Sequence, residues 1–346
     1  MTLRGIHVNA YNQDVAATLK NGRPSLVKTL DFGPDWAALK AQHDIRFLLG
    51  RVWCDDDSAL TPTPEAAAER LYARVRRAIG TRWTAVDALE TPWNEAHQRG
   101  DDLARHATAC RRFCQLAHAD GMRVAVGCFS VGNPEPSEFL RFAEGMALAD
   151  YLALHEYWLP GNYNAPWWAG RYRLLLDALP SHLRRPVIVS ECGIDGGLEG
   201  RTKNAGWRGY GLTPPQYADS LAAYLDHLDA DVLGVAVFNC GDYAGGRWGS
   251  FEIARVPEIE RWLAAGPREW QPSPVPEPEP PPVPAPDGYA VGPGVKAAME
   301  AEGDTPASSE AYLIDGLSLT MGASGTLYAY TPPTGVVAYD PKARVP

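Results

Sequence analysis

The amino-acid sequence predicts a (β/α)8 TIM barrel followed by a Pro-rich linker and a small C-terminal α+β or β-rich module. Over roughly the first 265 residues, short apolar runs alternate with longer stretches of helical period, and eight such pairs can be counted. Eight short strands fit a closed barrel of about 250 residues better than an open doubly wound sheet. A sharp change in composition near residue 270 separates this region from the rest of the chain.

The predicted strands are short and almost entirely apolar, which is typical of parallel strands buried on both faces. They cover residues 5–9, 26–31, 45–53, 85–91, 123–129, 151–155, 187–191 and 233–239. The predicted helices cover residues 13–20, 35–42, 64–79, 102–120, 136–148, 168–178, 214–227 and 257–264. Thr63-Pro64 and Thr213-Pro214 each place a capping residue before a proline, which predicts that two of these helices begin there.

The charge of the chain argues against nucleic acid as its main partner. The 346 residues carry 32 basic and 42 acidic side chains, a net charge of −10, and no run of Lys or Arg is long enough to follow a phosphate backbone. The 11 Trp and 15 Tyr outnumber the 8 Phe. Such rings, apolar with a polar group attached, suit the faces of sugars as well as ordinary cores.

The segment 271–287 is predicted to be a linker, because nine of its 17 residues are proline and favour the extended polyproline II conformation. We therefore divide the chain into a barrel (1–268), a linker (269–287) and a C-terminal module (288–346). The module is predicted to contain a helix at 295–302 and strands at 311–314, 317–321, 326–330 and 336–339. Whether it binds a polymer, a cell surface or its own barrel stays open, as does the oligomeric state.

The six cysteines are predicted to be buried free thiols. None belongs to a CxxC pair or has a histidine at zinc-ligand spacing. Cys110 and Cys114 lie four residues apart on one helix face, where disulfide geometry is poor.

The N-terminus predicts a cytoplasmic protein as the chain is written. Residues 1–9 contain no apolar segment of the kind found in a secretory signal, and no apolar run reaches membrane-spanning length. Export by another route, or a signal removed beforehand, remains open.

Two glutamates at strand ends are the candidate catalytic residues. In a (β/α)8 barrel the functional side chains lie at the C-terminal ends of the strands. Glu95 follows the fourth predicted strand, and Glu191 closes the seventh, almost across the barrel. Two facing carboxyls can cleave a glycosidic bond, because one protonates the departing oxygen while the other attacks or stabilises the anomeric carbon. A separation of about 5–5.5 Å implies retention of configuration.

The residues around these glutamates resemble those of the retaining β-glycosidases of glycoside hydrolase clan A, which include cellulase-, mannanase- and xylosidase-like (β/α)8 enzymes. The resemblance covers about residues 1–265 and rests on Trp93-Asn94-Glu95 and Ser190-Glu191. It implies that Glu95 is the acid/base, that Asn94 contacts the sugar 2-hydroxyl and that Glu191 is the nucleophile. It implies no metal or organic cofactor.

Further site residues follow from the same resemblance. His155-Glu156-Tyr157 looks like the clan's His-x-Tyr of strand six, whose tyrosine hydroxyl hydrogen-bonds the nucleophile. Arg51, near the end of strand three, is expected to keep Glu191 ionised. The chain departs from the clan in Ala96, where a proline is usual, and in Phe238-Asn239-Cys240, where strand eight usually ends in tryptophan. His7 and Asn239, at strand ends, complete the predicted substrate contacts on the strands.

Aromatic residues are concentrated in predicted loops that overhang the same end of the barrel. They are Trp158, Tyr163, Trp167, Trp168, Trp207, Tyr210, Tyr243 and Trp248. Exposed rings there would stack on sugars. Trp158 and Trp248 are the first choices for substrate contacts, and Trp248 is a candidate to replace the missing strand-eight tryptophan.

The leading prediction is a retaining, endo-acting glycoside hydrolase that cleaves internal bonds of a β-linked polysaccharide of the glucan, mannan or xylan class. A phage-type lysin that cuts cell-wall glycan and a non-catalytic carbohydrate-binding barrel are the alternatives. A lyase or aldolase is less favoured, because its Schiff-base lysine should lie at a strand end, whereas Lys28 lies within the second strand. No cofactor or metal is predicted, since residues 193–197 lack nucleotide-binding spacing and Asp55-Asp56-Asp57 is typical of a solvated loop.

Overall fold

The computed structural model describes residues 2–242, 246 and 248–265, together with the strand residues 311–313, 317–321, 327–331 and 335–339. The chain divides into two compact units, Met1–Ser273 and Pro274–Pro346. The Pro-rich segment, the predicted helix at 295–302 and the predicted loop residue Tyr243 lie outside the described residues.

The first unit is a closed barrel of eight parallel strands in sequence order, which confirms the predicted fold class. The barrel closes where the last strand pairs in parallel with the first. The strands are β1 (Leu3–Val8), β2 (Leu26–Thr29), β3 (Phe47–Gly50), β4 (Ala88–Glu90), β5 (Arg123–Phe129), β6 (Tyr151–Trp158), β7 (Val187–Ile194) and β8 (Val232–Cys240).

Eight helices follow the strands in turn. They are α1 (Gln13–Gly22), α2 (Trp36–His43), α3 (Pro64–Ile79), α4 (Gly100–Ala119), α5 (Ala143–Leu148), α6 (Tyr172–Asp177), α7 (Pro214–His227) and α8 (Pro257–Ala264). The two predicted proline starts are confirmed. Thr63 caps α3 by accepting a hydrogen bond from the Ala66 amide at 3.2 Å, and Thr213 forms a capping box with Gln216 at the start of α7.

Two predicted helices differ from the structure for local reasons. The segment predicted at 136–148 begins as a 3₁₀ helix, Pro136–Phe142, before α5. In a 3₁₀ helix residues three apart eclipse, and the rings of Phe139 and Phe142 stack at 5.9 Å with an interplanar angle of 15°. The helix predicted at 168–178 begins only at Tyr172, because the buried Glu156 carboxylate accepts hydrogen bonds from the amides of Gly170 and Tyr172.

β6 and β7 run three residues further than predicted, and irregular pairing changes the direction of side chains on β7. β6 ends at Trp158 and β7 at Ile194, which pair with each other. The β6–β7 register shifts between Leu154 and His155, and the β7–β8 register shifts between Val189 and Cys192. Both shifts place the extra residue on β7, so the strict alternation of faces is broken on that strand.

The barrel interior contains two layers of side chains. An apolar layer fills its lower part and consists of Leu26, Phe47, Leu49, Ala88, Ala125, Cys128, Tyr151, Ala153, Ile188 and Ala236. A polar layer lies above it, towards the C-terminal ends of the strands, and consists of His7, Lys28, Arg51, Glu90, His155, Tyr157 and Glu191. A larger apolar core packs the outer face of the strands against the helices.

All six cysteines are buried free thiols, as predicted. Burial raises the pKa of each of them, and the pKa of Cys54 lies at about 11. They are therefore protonated at neutral pH and serve as small apolar residues of the core. No helix among the described residues is long and apolar enough to cross a lipid bilayer.

The second unit contains a four-stranded antiparallel sheet. Its strands are β9 (Ala311–Leu313), β10 (Leu317–Met321), β11 (Leu327–Thr331) and β12 (Gly335–Tyr339), in the spatial order β12-β11-β10-β9. Consecutive strands are neighbours, so the sheet is a meander. Its binding to a polymer, a cell surface or the barrel stays a prediction.

Candidate active site

Glu191, at the C-terminal end of the barrel, is held by side chains from three strands. The Lys28 ammonium donates to its Oε1 at 3.0 Å, and the Tyr157 hydroxyl donates to its Oε2 at 2.9 Å. The His7 Nδ1 atom lies 3.4 Å from Oε1. Only 9% of the Glu191 side chain is exposed, so the carboxylate has one fixed orientation and one open side.

The charges around Glu191 keep it ionised. Burial alone would raise the pKa of this carboxyl, but His155, Lys28, His7 and Arg51 together lower it well below its usual range. Burial, with Lys28 nearby, also holds the pKa of His7 well below its ordinary value, so this ring is neutral at pH 7. Lys28 and Arg51, whose pKa values are raised, stay charged at any physiological pH.

Arg51 contributes to keeping Glu191 ionised and pairs directly with two other carboxylates. Its nearest carboxylates are Asp55, at 3.6 Å from Nη1, and Glu90, at 3.8 Å from Nε. Glu90 is completely buried and lies 2.7 Å from the Lys28 ammonium. Lys28 is in direct contact with Glu191, at 3.0 Å.

Glu95 lies beside Glu191 and shares a partner with it. The Nδ1 atom of His155 is 2.7 Å from Glu95 Oε1 and 3.6 Å from Glu191 Oε2. The two carboxylate oxygens therefore cannot be further apart than the sum of these distances. In contrast to Glu191, 40% of the Glu95 side chain is exposed.

The backbone presents Glu95 in an unusual conformation. Its φ angle is +52°, in the left-handed region that costs a residue with a Cβ about 1–2 kcal/mol. Two hydrogen bonds hold it there: its amide donates to the Cys128 carbonyl at 2.9 Å, and its carbonyl accepts from the Gln98 side chain at 2.9 Å. Strain of this kind is concentrated at functional sites, where the surrounding structure maintains it.

The two glutamates open onto a cavity of about 470 Å³ at the end of the barrel. Of the predicted site residues, the cavity is lined by His7, Arg51, Asn94, Glu95, Tyr157, Glu191 and Trp248. The Oδ1 atom of Asn94 is buried and has no hydrogen-bond partner among the described residues. A buried acceptor of this kind is costly unless a ligand satisfies it.

Aromatic rings form one wall of the cavity. Trp248 packs edge-on against Phe238 at 5.3 Å and against Phe251 at 5.7 Å, and all three rings line the cavity. Phe238 stands where the clan pattern has a tryptophan, and Trp248 adds an indole from the following loop. Trp248 therefore lies at the cavity, where the sequence predicts it.

Three predicted substrate contacts do not line the cavity. Trp158 is fully buried on the outside of the barrel, where it stacks on Tyr224 at 4.4 Å and donates to the Ser220 hydroxyl. This corrects the prediction for Trp158: β6 extends to this residue, and alternation points it away from Tyr157. His155 is buried and contacts both glutamates through its Nδ1 atom. Asn239 is buried and accepts a hydrogen bond from the Asn9 side chain at 3.0 Å.

Sequence reasoning missed several residues of the site. From the sequence, Lys28 is weighed only as a Schiff-base lysine. Its position two residues after Leu26 in an apolar strand nevertheless indicates that both side chains face the barrel interior. Trp53 lines the cavity with 55% of its surface exposed, and Asp195 lines it after β7. The sequence predicts Trp53 as the last residue of strand three, whereas β3 in the structure ends three residues earlier, at Gly50.

The part of the chain that the structure describes contains no group of three or more His, Cys, Asp or Glu side chains arranged to hold a metal ion. Two of the three consecutive acidic residues, Asp56 and Asp57, pair with Arg74 and Arg70 on α3.

Comparison with known proteins finds similarity only at the level of structure. No protein-family model and no curated protein matches the sequence. Bacteroides uniformis beta-glucuronidase 2 matches with 14% identity and a TM-score of 0.46, over 73% of this chain and 33% of that chain. The GH2 beta-galacturonidase from Eisenbergiella tayi matches with 10% identity and a TM-score of 0.49, over 77% and 52%.

A third match is the glycoside hydrolase family 17 beta-1,3-glucanosyltransferase from Rhizomucor miehei, with 15% identity and a TM-score of 0.45, over 71% of this chain and 90% of that chain. The chain spans only a third to about a half of the first two proteins. Identities of at most 15% and TM-scores of at most 0.49 assign no activity to this chain. Its closed eight-stranded barrel is consistent with the clan A-like (β/α)8 glycosidase architecture that the sequence predicts.

Proposed function

We propose that this chain is a retaining glycoside hydrolase that cleaves a β-linked glycan, with Glu191 as nucleophile and Glu95 as acid/base. The observation that carries the proposal is the contact of one His155 nitrogen with both carboxyls, at 2.7 and 3.6 Å. This shared contact keeps the facing oxygens of Glu95 and Glu191 closer than roughly 6.5 Å, the smallest carboxyl separation typical of inverting enzymes. A spacing below the range of inverting enzymes supports direct attack by a carboxylate on the sugar.

The environments of the two carboxyls suit different tasks. Glu191 is buried, its pKa is held well below the usual range, and it is therefore ready to attack. Glu95 is partly exposed at the cavity, where it can exchange a proton with solvent between steps. The unsatisfied Oδ1 of Asn94 supports a sugar hydroxyl as its partner.

In the first step, the Glu95 carboxyl donates its proton to the glycosidic oxygen. A Glu191 oxygen bonds to the anomeric carbon as the carbon–oxygen bond to the leaving group breaks, which forms a glycosyl ester. In the second step, the Glu95 carboxylate takes a proton from water, whose oxygen attacks the anomeric carbon and releases Glu191. Tyr157 and Lys28 hold the Glu191 carboxylate in place throughout.

The substrate is proposed to be a polysaccharide of the glucan, mannan or xylan class, whose internal bonds the enzyme cleaves. The open cavity and its aromatic wall of Phe238, Trp248 and Phe251 support a sugar chain as ligand. Product analysis with a panel of these polysaccharides and peptidoglycan tests the class. Cleavage of peptidoglycan alone would favour the cell-wall lysin, and binding without turnover would favour a carbohydrate-binding barrel.

The roles of the two glutamates are tested with Glu191→Ala and Glu95→Ala on activated aryl β-glycosides. We expect kcat/KM of Glu191→Ala to fall roughly 10³-fold or more. Azide should then attack from the vacated face and give an α-glycosyl azide. In Glu95→Ala, azide should attack the glycosyl ester and give a β-glycosyl azide.

Glu69→Gln is a suitable control, because Glu69 is a surface residue of α3 paired with Arg112. It should hydrolyse the same substrates at the wild-type rate. Unchanged hydrolysis by both alanine variants would refute the proposal, and inverted products from the wild type would refute the retaining mechanism.

A further inference from the structure

We propose that Lys28 is a positioning residue for the Glu191 nucleophile, and that Glu90 is the anchor that holds the Lys28 ammonium in place. The inference rests on the proposed function of Glu191 and adds two residues to it. The resemblance implied only that Arg51 keeps Glu191 ionised, and it gave Lys28 and Glu90 no part in positioning the nucleophile.

The contacts of Lys28 make it a bridge between two carboxylates. Its ammonium lies 3.0 Å from Glu191 Oε1 and 2.7 Å from Glu90 Oε2. The side chains of Lys28 and Glu90 are both 0% exposed, whereas Glu191 opens onto the cavity. An ammonium has three rotatable donors, so one lysine can hold both acceptors at once.

This bridge orients the carboxylate that attacks. Lys28 binds one oxygen of Glu191 and Tyr157 binds the other, so rotation of the carboxylate group breaks a hydrogen bond on either side. Groups that fix a nucleophile before substrate arrives lower the cost of reaching the reactive geometry.

Glu90 explains how a lysine can stay charged in this position. Burial lowers the pKa of Lys28, but Glu191 and Glu90 outweigh that effect and raise it. When Glu191 becomes an ester it loses its negative charge, and Glu90 is then the remaining carboxylate in contact with the ammonium. A buried lysine without such a partner would tend to release its proton.

Other titratable and charged groups surround Lys28 and Glu191, and they contribute to the pH dependence of any experiment on this pair. They are His7 on β1, Arg51 with Asp55 after β3, Glu95 after β4, Cys128 on β5, and His155 and Tyr157 on β6. None of the substitutions below removes any of these groups.

The proposal is tested by following the titration of Glu191 directly, without substrate. Carboxyl-¹³C-glutamate is incorporated into the full chain, and the Glu191 resonance is assigned by its loss in Glu191→Gln. We expect Lys28→Met to move this titration to higher pH and Lys28→Arg to return it towards the wild type. In Glu90→Gln, the Lys28 ammonium, followed with ¹⁵N-labelled lysine, should release its proton at lower pH than in the wild type, because one of its two carboxylate contacts is gone.

Lys40→Met provides a matched control, since Lys40 pairs with Asp87 at the outside of the barrel. It should leave the Glu191 titration unchanged. If Lys28→Met fails to fold, the double variant Lys28→Met/Glu90→Gln removes both buried charges and should still titrate at higher pH. An unchanged Glu191 titration without Lys28, or an unchanged Lys28 titration in Glu90→Gln, overturns the proposal.

A kinetic measurement separates this proposal from the proposed function. In Lys28→Met we expect the acidic limb of the kcat/KM profile to move to higher pH while the alkaline limb stays in place. The loss near the acidic limb should exceed the loss on the plateau about tenfold or more. If Glu191→Ala keeps full activity the proposed function fails, whereas the Lys28 proposal is judged by the titration.

Discussion

The apolar and polar layers of the barrel interior are built on the same strands, yet they contribute different properties to the molecule. On β4, Ala88 lies in the apolar layer and Glu90 in the polar layer; on β6, Ala153 and His155 are related in the same way. Two residues along a strand separate the members of each pair. On these two strands the face of a side chain is thus set by alternation, and its chemistry by its distance from the C-terminal end.

The energetic difference between the layers is equally clear. The apolar layer gains free energy from burial and needs no partners. The polar layer buries two cations, Lys28 and Arg51, against Glu90 and the largely buried Glu191. Such a cluster adds little net stability, but removal of one member leaves an uncompensated charge. We therefore expect substitutions in the apolar layer to change stability alone, and substitutions in the polar layer to change function as well as stability.

The substitution Leu49→Ala, in the apolar layer, tests this division between the layers most directly. Leu49 is completely buried, so we expect the free energy of unfolding to fall by about 2–5 kcal/mol. Urea denaturation at pH 7 measures this loss. The pH limbs of kcat/KM should stay where they are in the wild type, because the polar layer keeps all its charges. A shift of those limbs without a loss of stability would contradict the division into layers.

A smaller effect is expected at the rim of the cavity, where Trp53 and Trp158 can be compared. Trp53 lines the cavity with its ring largely exposed, so Trp53→Ala should raise KM for a soluble oligosaccharide about five- to tenfold. Trp158 is buried against Tyr224, so Trp158→Phe should lower thermal stability and leave KM unchanged. The reverse result would place the sugar on the outer side of β6.

The smallest effect concerns a buried histidine outside both layers. His106 on α4 packs among Trp93, Phe129 and Phe142, and burial lowers its pKa to about 3. The unfolded chain binds a proton there near pH 6.5 that the folded chain does not bind, so stability decreases as the pH falls from 7 towards 3. Below that pH both states are protonated, and this contribution changes no further.

His106→Phe should remove this dependence. Between pH 7 and pH 6 the wild type should lose about 0.5–1 kcal/mol more than the variant. Urea denaturation at the two pH values measures the difference. An equal loss in both proteins would mean that His106 is protonated in the folded state.

Much of the fold could be predicted because its signals are local. The period of the apolar residues located eight strands and eight helices, and the Thr-Pro pairs located the starts of α3 and α7. The positions of Glu95 and Glu191 near strand ends were sufficient to predict that they face one cavity. The site could not be predicted in full, since the partner of a buried charge depends on which strands become neighbours.

The sequence by itself determined the order of the elements and which residues lie at the C-terminal end of the barrel. Only the tertiary structure decided the direction of several side chains. On β7, Ile188 and Glu191 both face the interior although they are three residues apart, because the register with β8 shifts between Val189 and Cys192. Strict alternation would have turned Glu191 outward. Barrel closure also brought Lys28 to Glu191, 163 residues away, a contact that no local pattern encodes.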